Sequence, residues 1–186
     1  MSALIIISGP PCAGKSTVAN RLREQLKWPL LAKDSFKELL YDSVGWRDRA
    51  WSRTLSQASY ALLFNVAAEV LHAGQHCIIE GNFRWRENDG RFGSLLRPDL
   101  HVLQICCTAP LQILVARLHR RVAGGQRHPG HLDADTVAEL ESELAQFSQP
   151  LPIAGAQLSF DSSHPEPQAM NVLVAAVREL LAGFAN

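Results

Sequence analysis

The chain has 186 residues, 47% of them hydrophobic and 19% charged, a balance typical of a folded globular protein. Eighteen Lys and Arg residues balance eighteen Asp and Glu residues, so the formal net charge is zero, which argues against a long nucleic acid as the main partner. The sequence shows no basic leader, no apolar stretch of the ~20 residues that a membrane span needs and no zinc-ligand spacing of its four cysteines. We therefore expect a single cytoplasmic domain over residues 1–186, with no membrane partner.

Apolar runs alternate with helical patterns along the chain. Strands are predicted at Ala3–Ser8 and over 29–32, 76–80, 101–108 and 156–160. Helices are predicted at Lys15–Leu26 and over 35–43, 51–72, 111–122, 133–147 and 166–184. Because strands and helices alternate, the fold class expected is α/β, with a parallel sheet covered by helices on both faces.

A phosphate-binding loop follows the first strand. The segment Gly9-Pro10-Pro11-Cys12-Ala13-Gly14-Lys15-Ser16 fits the pattern GxxxxGK[ST] in full, and Thr17 continues it into the predicted helix. The glycines let backbone N–H groups converge on phosphate oxygens. Lys15 supplies a positive charge to the outer phosphates, and the Ser16 hydroxyl can ligate Mg²⁺. This segment predicts that ATP and Mg²⁺ bind residues 9–17.

Four arginines lie in and after the helix that follows the fourth strand: Arg117, Arg120, Arg121 and Arg127. Small-molecule and nucleoside kinases carry a mobile lid at this place, and glycines at 124, 125 and 130 can act as hinges. We predict a lid over about residues 120–132, with Arg120, Arg121 and Arg127 stabilising the transferred phosphate and Arg117 contacting the nucleotide. The Asn-Lys-x-Asp element typical of GTP-specific proteins is absent from the sequence.

The chain resembles a group of P-loop kinases that includes chloramphenicol phosphotransferase, zeta-toxin-type kinases and the kinase domain of polynucleotide kinase. Gluconate and adenylylsulfate kinases are more distant relatives. The resemblance is specific at the phosphate loop, at Lys33–Lys37, at Ile79–Phe83, at the arginines and at Phe160–Ser163. It implies a P-loop NTPase fold with a five-stranded parallel sheet in the order 2-3-1-4-5.

The acceptor side of the site is predicted around Asp34, which follows the second strand. Ligands of doubly wound sheets bind at the carboxyl ends of the strands. In the kinases resembled, an Asp at this position contacts the acceptor hydroxyl and acts as general base, and an Arg three residues later often touches the acceptor. Lys37 stands at that later position here. The alternative for Asp34 is a helix N-cap.

Two further strand ends carry polar residues. Glu80 ends the third strand, where a carboxylate can hold Mg²⁺ together with Ser16, and Asn82 and Arg84 follow on the same loop as candidate acceptor contacts. Asp161 and Ser162 follow the fifth strand, and the resemblance places similar residues beside the adenine of the nucleotide. The alternative for this pair is a cap for the last helix.

These residues predict an ATP-dependent kinase that acts on a hydroxyl group of a small molecule. Two alternatives remain open at this point: a polynucleotide or nucleoside 5′-hydroxyl kinase, and a non-catalytic switch protein that binds ATP and a protein partner. The sequence names neither the acceptor nor the oligomeric state, because one fold hosts many substrates.

Overall fold

A single parallel sheet organises the fold. The computed structural model describes residues 2–125, 127–131, 147, 149–164 and 166–184. Within them the strands are β1 (Ala3–Ser8), β2 (Leu30–Ala32), β3 (Cys77–Glu80), β4 (His101–Thr108) and β5 (Ala156–Asp161). They form one sheet in the order β2-β3-β1-β4-β5, and every neighbouring pair is parallel. This confirms the predicted P-loop NTPase fold and strand order.

Helices cover both faces of the sheet. They are α1 (Lys15–Leu26), α2 (Lys33–Val44), α3 (Arg49–His72), α4 (Trp85–Leu95), α5 (Leu111–Gly124) and α6 (Pro167–Gly183), with a 3₁₀ turn at Pro129–His131. Of the helix predicted over 133–147, all but Phe147 lies outside the described residues, as do residues 126 and 132 of the predicted lid. None of the helices in the described ranges has both the length and the apolar character to cross a membrane.

The helix α4 is an element that the sequence pattern did not predict. Two glycines and four charged side chains in its eleven residues weaken any helical periodicity. Phe92 and Leu95 are nevertheless buried on the sheet, and Phe92 contacts the rings of Phe64 and Phe83. Packing of these side chains stabilises a helix that local propensity does not favour.

Two apolar layers flank the sheet, and β1 contributes to both. Ile5 and Ile7 pack with residues of α1, α5 and α6 on one face. Leu4 and Ile6 pack with residues of α3 and α4 on the other face. Successive side chains of a strand point to opposite faces, and both faces of β1 are buried. This explains why the sequence of β1 is a continuous apolar run and does not alternate with polar residues.

The strand register brings the predicted site residues to one edge of the sheet. Ala32 of β2 pairs with Glu80 of β3, and Glu80 pairs with Ile7 of β1. The phosphate loop, Asp34 and Glu80 therefore leave the sheet at nearly the same level. This is the carboxyl edge at which doubly wound folds bind ligands.

Candidate active site

The phosphate loop is held against the ends of β4 and β5 by two glycines. Gly9 and Gly14 have φ angles of 142° and 78°, values that favour glycine. A Cβ at Gly9 would overlap the backbone oxygen of Cys107, and one at Gly14 would lie 3.3 Å from the Cβ of Ser162. Gly14 is also the N-cap of α1 and offers no side-chain cap. The first N–H groups of α1 are thus left for an anion such as a phosphate.

The side chain of Lys15 is folded back onto its own loop. It is buried, and its Nζ donates a hydrogen bond to the backbone oxygen of Pro10 at 2.7 Å. Burial lowers the pKa of Lys15, and the negative charge of Glu80 partly offsets that effect. A buried ammonium beside a glycine-rich loop is well placed to bind phosphate oxygens.

Ser16 and Glu80 form the candidate metal site. The Ser16 hydroxyl donates to Oε2 of Glu80 at 3.4 Å, and Glu80 is 5% exposed. Burial raises the pKa of Glu80, an effect that Lys15 partly offsets. In the described part of the chain no group of three or more His, Cys, Asp or Glu residues converges as a ready metal cage. One hydroxyl and one carboxylate still fit Mg²⁺, which usually completes its shell with waters and substrate phosphates.

Asp34 lies in the first turn of α2 but does not cap it. The N-cap is Ala32, and no side chain makes a capping hydrogen bond there. The Asp34 carboxylate instead forms ion pairs with Lys33, at 3.2 Å, and with Arg127. Burial would raise the pKa of Asp34, but the charges of Lys33 and Arg127 outweigh it and hold that pKa well below its usual range. The N-cap alternative therefore does not hold, and the group is an ionised carboxylate.

The predicted lid arginines separate into different environments. Arg117 and Arg121 lie one turn apart on α5, and Arg121 and Arg127 both line the cavity beside the phosphate loop. Arg120 is exposed and does not line that cavity. It is one residue step of about 100° around the helix from Arg121, and that rotation takes it off the shared face. In this conformation Arg127 contacts Asp34.

Arg117 links the phosphate loop to the end of β5. Its guanidinium donates to the backbone oxygen of Cys12 at 3.2 Å, to Oγ of Ser162 at 2.9 Å and to the backbone oxygen of Ser162. Ser162 is buried and donates to the Thr108 backbone oxygen. Asp161 is exposed and accepts hydrogen bonds from Ser163. The N-cap of α6 is Glu166, so the capping alternative for Asp161 and Ser162 does not hold either.

A cavity of about 1020 Å³ joins the phosphate loop to Asp34. Most predicted site residues line it: Pro11, Cys12, Gly14, Lys15, Ser16, Thr17, Asp34, Lys37, Glu80, Asn82, Arg84, Arg117, Arg121 and Arg127. Gly9, Pro10, Ala13, Arg120, Asp161 and Ser162 do not. One open space is thus lined by most of the residues predicted for the nucleotide and by all of those predicted for the acceptor.

Residues of α2 and α3 also line this space. We call the α2–α3 wall the set of residues Lys37, Arg49, Ser52, Arg53, Gln57 and Tyr60, all of which line the cavity. Only Lys37 was predicted. Four of the α3 residues, Arg49, Arg53, Gln57 and Tyr60, recur at steps of four and three, so the sequence did carry a signal in the form of a polar stripe.

Lys37 and Ser52 are the buried centre of the α2–α3 wall. Lys37 Nζ donates to Ser52 Oγ at 3.0 Å, the Tyr41 hydroxyl lies 2.7 Å from the same oxygen, and Ser52 Oγ donates to the Gly130 backbone oxygen at 3.1 Å. Burial, together with nearby positive charges, lowers the pKa of Lys37 to about 7. The end of the predicted lid is therefore attached to the acceptor side of the cavity.

The two other predicted acceptor contacts lie on the loop after β3. The backbone oxygen of Asn82 accepts a hydrogen bond from the Tyr60 hydroxyl at 2.7 Å. Arg84 pairs with Glu87 at 2.9 Å and lies over the ring of Phe147. Both residues line the cavity, so this loop borders the acceptor side of the space.

Comparison with protein families gives a match over most of the chain. The sequence model of a family described as "AAA domain" matches residues 4–149. No match was found among curated proteins. The matched residues include the phosphate loop, Asp34, Glu80 and the arginines of α5.

Solved structures give a similar result. A Chloroflexus aurantiacus protein that is provisionally described as a kinase is 38% identical, with 96% of this chain and 98% of that chain covered and a TM-score of 0.85. A gluconokinase from Sinorhizobium meliloti 1021 is 19% identical over 98% and 91% of the two chains, with a TM-score of 0.55. A shikimate kinase from Bacteroides thetaiotaomicron is 18% identical over 97% and 98%, with a TM-score of 0.53. The last two share the fold alone.

Proposed function

We propose that this chain, which belongs to the P-loop kinase family described as "AAA domain", transfers a phosphoryl group from ATP to a hydroxyl group of a small molecule. The observation that carries this proposal is the common cavity of Lys15, Ser16 and Asp34. A nucleotide switch needs the phosphate loop but has no use for a carboxylate across an open space from it. A kinase needs both, because transfer requires an acceptor hydroxyl beside the terminal phosphate.

Positioning and charge are the chemical contributions that phosphoryl transfer needs from the protein. Lys15 and the N–H groups at the start of α1 would bind the outer phosphates. Ser16 and Glu80 would hold Mg²⁺, which supplies neutralising charge to the phosphate oxygens when bound. Arg121 and Arg127 would stabilise charge on the transferred group, and a closed lid would exclude water, so that hydrolysis does not compete.

Asp34 would orient the acceptor hydroxyl and take up its proton. Its depressed pKa keeps it ionised, so it can accept a hydrogen bond from an O–H at any physiological pH. A strong base is not required, because the transition state of phosphoryl transfer is loose and the proton can leave late. The ion pair with Arg127 occupies this carboxylate in the present conformation. Acceptor binding would therefore require Arg127 to turn away from Asp34.

A transfer screen tests the proposal. The protein is incubated with ATP labelled at the terminal phosphate, Mg²⁺ and a panel of sugars, sugar acids, aminoglycosides and other antibiotics, and nucleosides. We expect labelled product with at least one class of hydroxyl compound. Tight ATP binding with no transfer to any member of the panel, together with a conformational change that depends on a protein partner, would support the switch alternative.

A second candidate function is a nucleoside or polynucleotide 5′-hydroxyl kinase. It requires a basic surface leading to Asp34, which the zero net charge of the whole chain does not indicate. Nine of the 18 Lys and Arg residues nevertheless line the cavity, as do three of the 13 Asp and Glu residues that lie in the described part of the chain. Net charge averaged over the chain conceals this concentration, so nucleosides, nucleotides and short 5′-hydroxyl oligonucleotides belong in the screen.

A further inference from the structure

The charges around the cavity are unequally distributed. Its lining contains nine basic residues: Lys15, Lys33, Lys37, Arg49, Arg53, Arg84, Arg117, Arg121 and Arg127. Its acidic residues in the described part of the chain are Asp34, Glu80 and Glu87. A nucleotide triphosphate on the phosphate loop accounts for the charges of Lys15 and the three arginines at 117, 121 and 127. Five basic residues remain on the acceptor side.

Two of those five have acidic partners on the acceptor side. Lys33 pairs with Asp34, and Arg84 pairs with Glu87. Lys37, Arg49 and Arg53 belong to the α2–α3 wall, and Arg49 and Arg53 have further interactions of their own. Among the described residues that line the acceptor side, basic side chains therefore outnumber carboxylates.

Lys37 is the most informative of these residues because it is buried. It is 6% exposed, and its ammonium has three N–H donors. Among the described residues one donor meets an acceptor, the Ser52 hydroxyl, and the ammonium lies over the ring of Tyr41. No carboxylate of the described residues lies within ion-pair distance of it. Burying a charge in this way is costly unless a partner compensates for it.

We propose that the acceptor carries an anionic group, a carboxylate or a phosphate, that binds to Lys37 on the α2–α3 wall with the support of Arg49 and Arg53. This inference rests on the proposed kinase function, because it assigns a substrate class to the same cavity. The anion supplies the acceptors that the remaining N–H donors of Lys37 lack. Anchored there, the acceptor directs a hydroxyl of its own toward Asp34, one turn earlier on α2.

The protonation of Lys37 gives the proposal a direct readout. The charged and titratable groups around it are Lys33, Asp34 and Tyr41 on α2, Arg49 and Arg53 on α3, and Arg127 and His131 after α5. An anion bound to the ammonium favours the charged form and raises the pKa of Lys37. Anion affinity should consequently fall as the pH rises above 7, because the free protein then loses the proton that the anion needs.

The experiment uses the four lysines of the chain. Protein labelled with ¹³C at the lysine Cε is saturated with Mg-ADP, which occupies the phosphate loop, and the Lys37 signal is assigned from Lys37→Met. The pH titration of that signal is followed with and without inorganic phosphate, and separately with malonate as the carboxylate probe. Lys27→Met is the matched control, because Lys27 is exposed and lies outside the cavity.

An upward movement of the Lys37 titration on adding either probe supports the proposal, and the more effective probe identifies the anion. Calorimetric affinity for that probe should fall about 10- to 100-fold in Lys37→Met, the scale of one hydrogen-bonded charge, and stay unchanged in Lys27→Met. A Lys37 titration that neither probe moves would overturn the proposal, as would equal affinity in Lys37→Met and the wild type.

Transfer assays then separate this inference from the proposed function. Acceptors are compared in pairs that differ in the anionic group: glycerate with glycerol, gluconate with sorbitol, and ribose 5-phosphate with ribose. Efficient transfer to uncharged members only, unaffected by Lys37→Met, would keep the kinase function and refute the anionic acceptor. Anion binding that depends on Lys37 without transfer to any acceptor would keep the anion site and refute the kinase.

Discussion

The phosphate loop and the α2–α3 wall line the same cavity but are built in different ways. The phosphate loop is a continuous segment whose function depends on backbone N–H groups, on glycine at two positions and on one lysine. The α2–α3 wall is assembled from side chains of two helices that meet only after folding. The first design suits a ligand that all P-loop proteins share, and the second suits a ligand that differs from one kinase to the next.

The phosphate loop and the α2–α3 wall also differ in how each stabilises its buried lysine when no ligand is bound. Lys15 is folded onto Pro10, so its ammonium has an acceptor within its own loop. Lys37 has the Ser52 hydroxyl alone among the described acceptors. The two buried lysines therefore differ in how far the protein itself stabilises their charge. Substituting Lys15 should mainly reduce phosphoryl transfer, whereas substituting Lys37 should also change the stability of the chain.

The largest effect is expected at Lys15. Lys15→Ala removes the charge that would contact the outer phosphates and should reduce transfer at least ~100-fold, the scale of removing one preorganised donor from a transition state. Steady-state kinetics measure the loss, and circular dichroism checks that the fold is retained. Near-normal turnover in a folded Lys15→Ala protein would contradict the role of the loop in catalysis.

The next effect is expected at Asp34. Asp34→Asn keeps the shape of the side chain but cannot accept a proton, so transfer should fall roughly 100-fold while calorimetry shows near-normal ATP binding. If Asp34 were mainly a Mg²⁺ ligand, affinity for Mg-ATP would fall and affinity for metal-free ATP would not. Full activity in Asp34→Asn would leave the acceptor side without a base.

A smaller effect is expected at Arg127, whose role is divided between Asp34 and the transferred phosphate. Arg127→Ala should lower kcat by about tenfold or more and change the KM for ATP less, because the contact with phosphate forms mainly in the transition state. Loss of the ion pair should also move the pKa of Asp34 up toward its usual range, which shifts the acid limb of the pH–rate profile to higher pH.

Arg120→Ala is the comparison for this variant, since Arg120 is exposed and lies outside the cavity in this conformation. A large loss of kcat in Arg120→Ala with an unchanged kcat in Arg127→Ala would contradict this assignment. It would mean that, when the lid closes, Arg120 and not Arg127 contacts the transferred phosphate.

The last effect is expected in the stability of the chain without ligand, where each pH unit changes the free energy of unfolding by a small amount. The pKa of Lys37 is about 7 in the folded chain, against an ordinary value of 10.5. Below pH 7 both states carry the charge, so the folded chain bears the whole cost of burying it. Between pH 7 and about 10 the folded chain loses the proton first, and this cost falls by about 1 kcal/mol per pH unit.

Lys37→Met buries no ammonium, so its stability does not include this pH-dependent cost. Relative to the wild type it should therefore be most stable near pH 6, and the difference should shrink as the pH rises to 9. Urea unfolding at several pH values measures this, with Lys27→Met as the baseline for the substitution itself. A difference that is constant with pH would mean that the Lys37 ammonium is not destabilised in the folded chain.

The sequence by itself determined the phosphate loop and the sheet, because both depend on local patterns: a spaced glycine and lysine motif, and apolar runs such as Ala3–Ser8 that are buried on both faces. It also placed Asp34 and Glu80 at strand ends. The strand order came from the resemblance, and the register of Ala32 and Ile7 with Glu80 confirmed it.

Only the tertiary structure decided which polar side chains share the cavity. The sequence did not separate Arg120 from Arg121, because their difference is a rotation about α5 relative to a loop 100 residues away in the chain. It did not predict α4, which packing of Phe92 stabilises against weak local propensity. Nor did it show the α2–α3 wall, because the packing of two consecutive helices decides which of their side chains face the cavity. Nine of the 18 Lys and Arg residues, from elements far apart in the chain, meet at this cavity only in the folded protein.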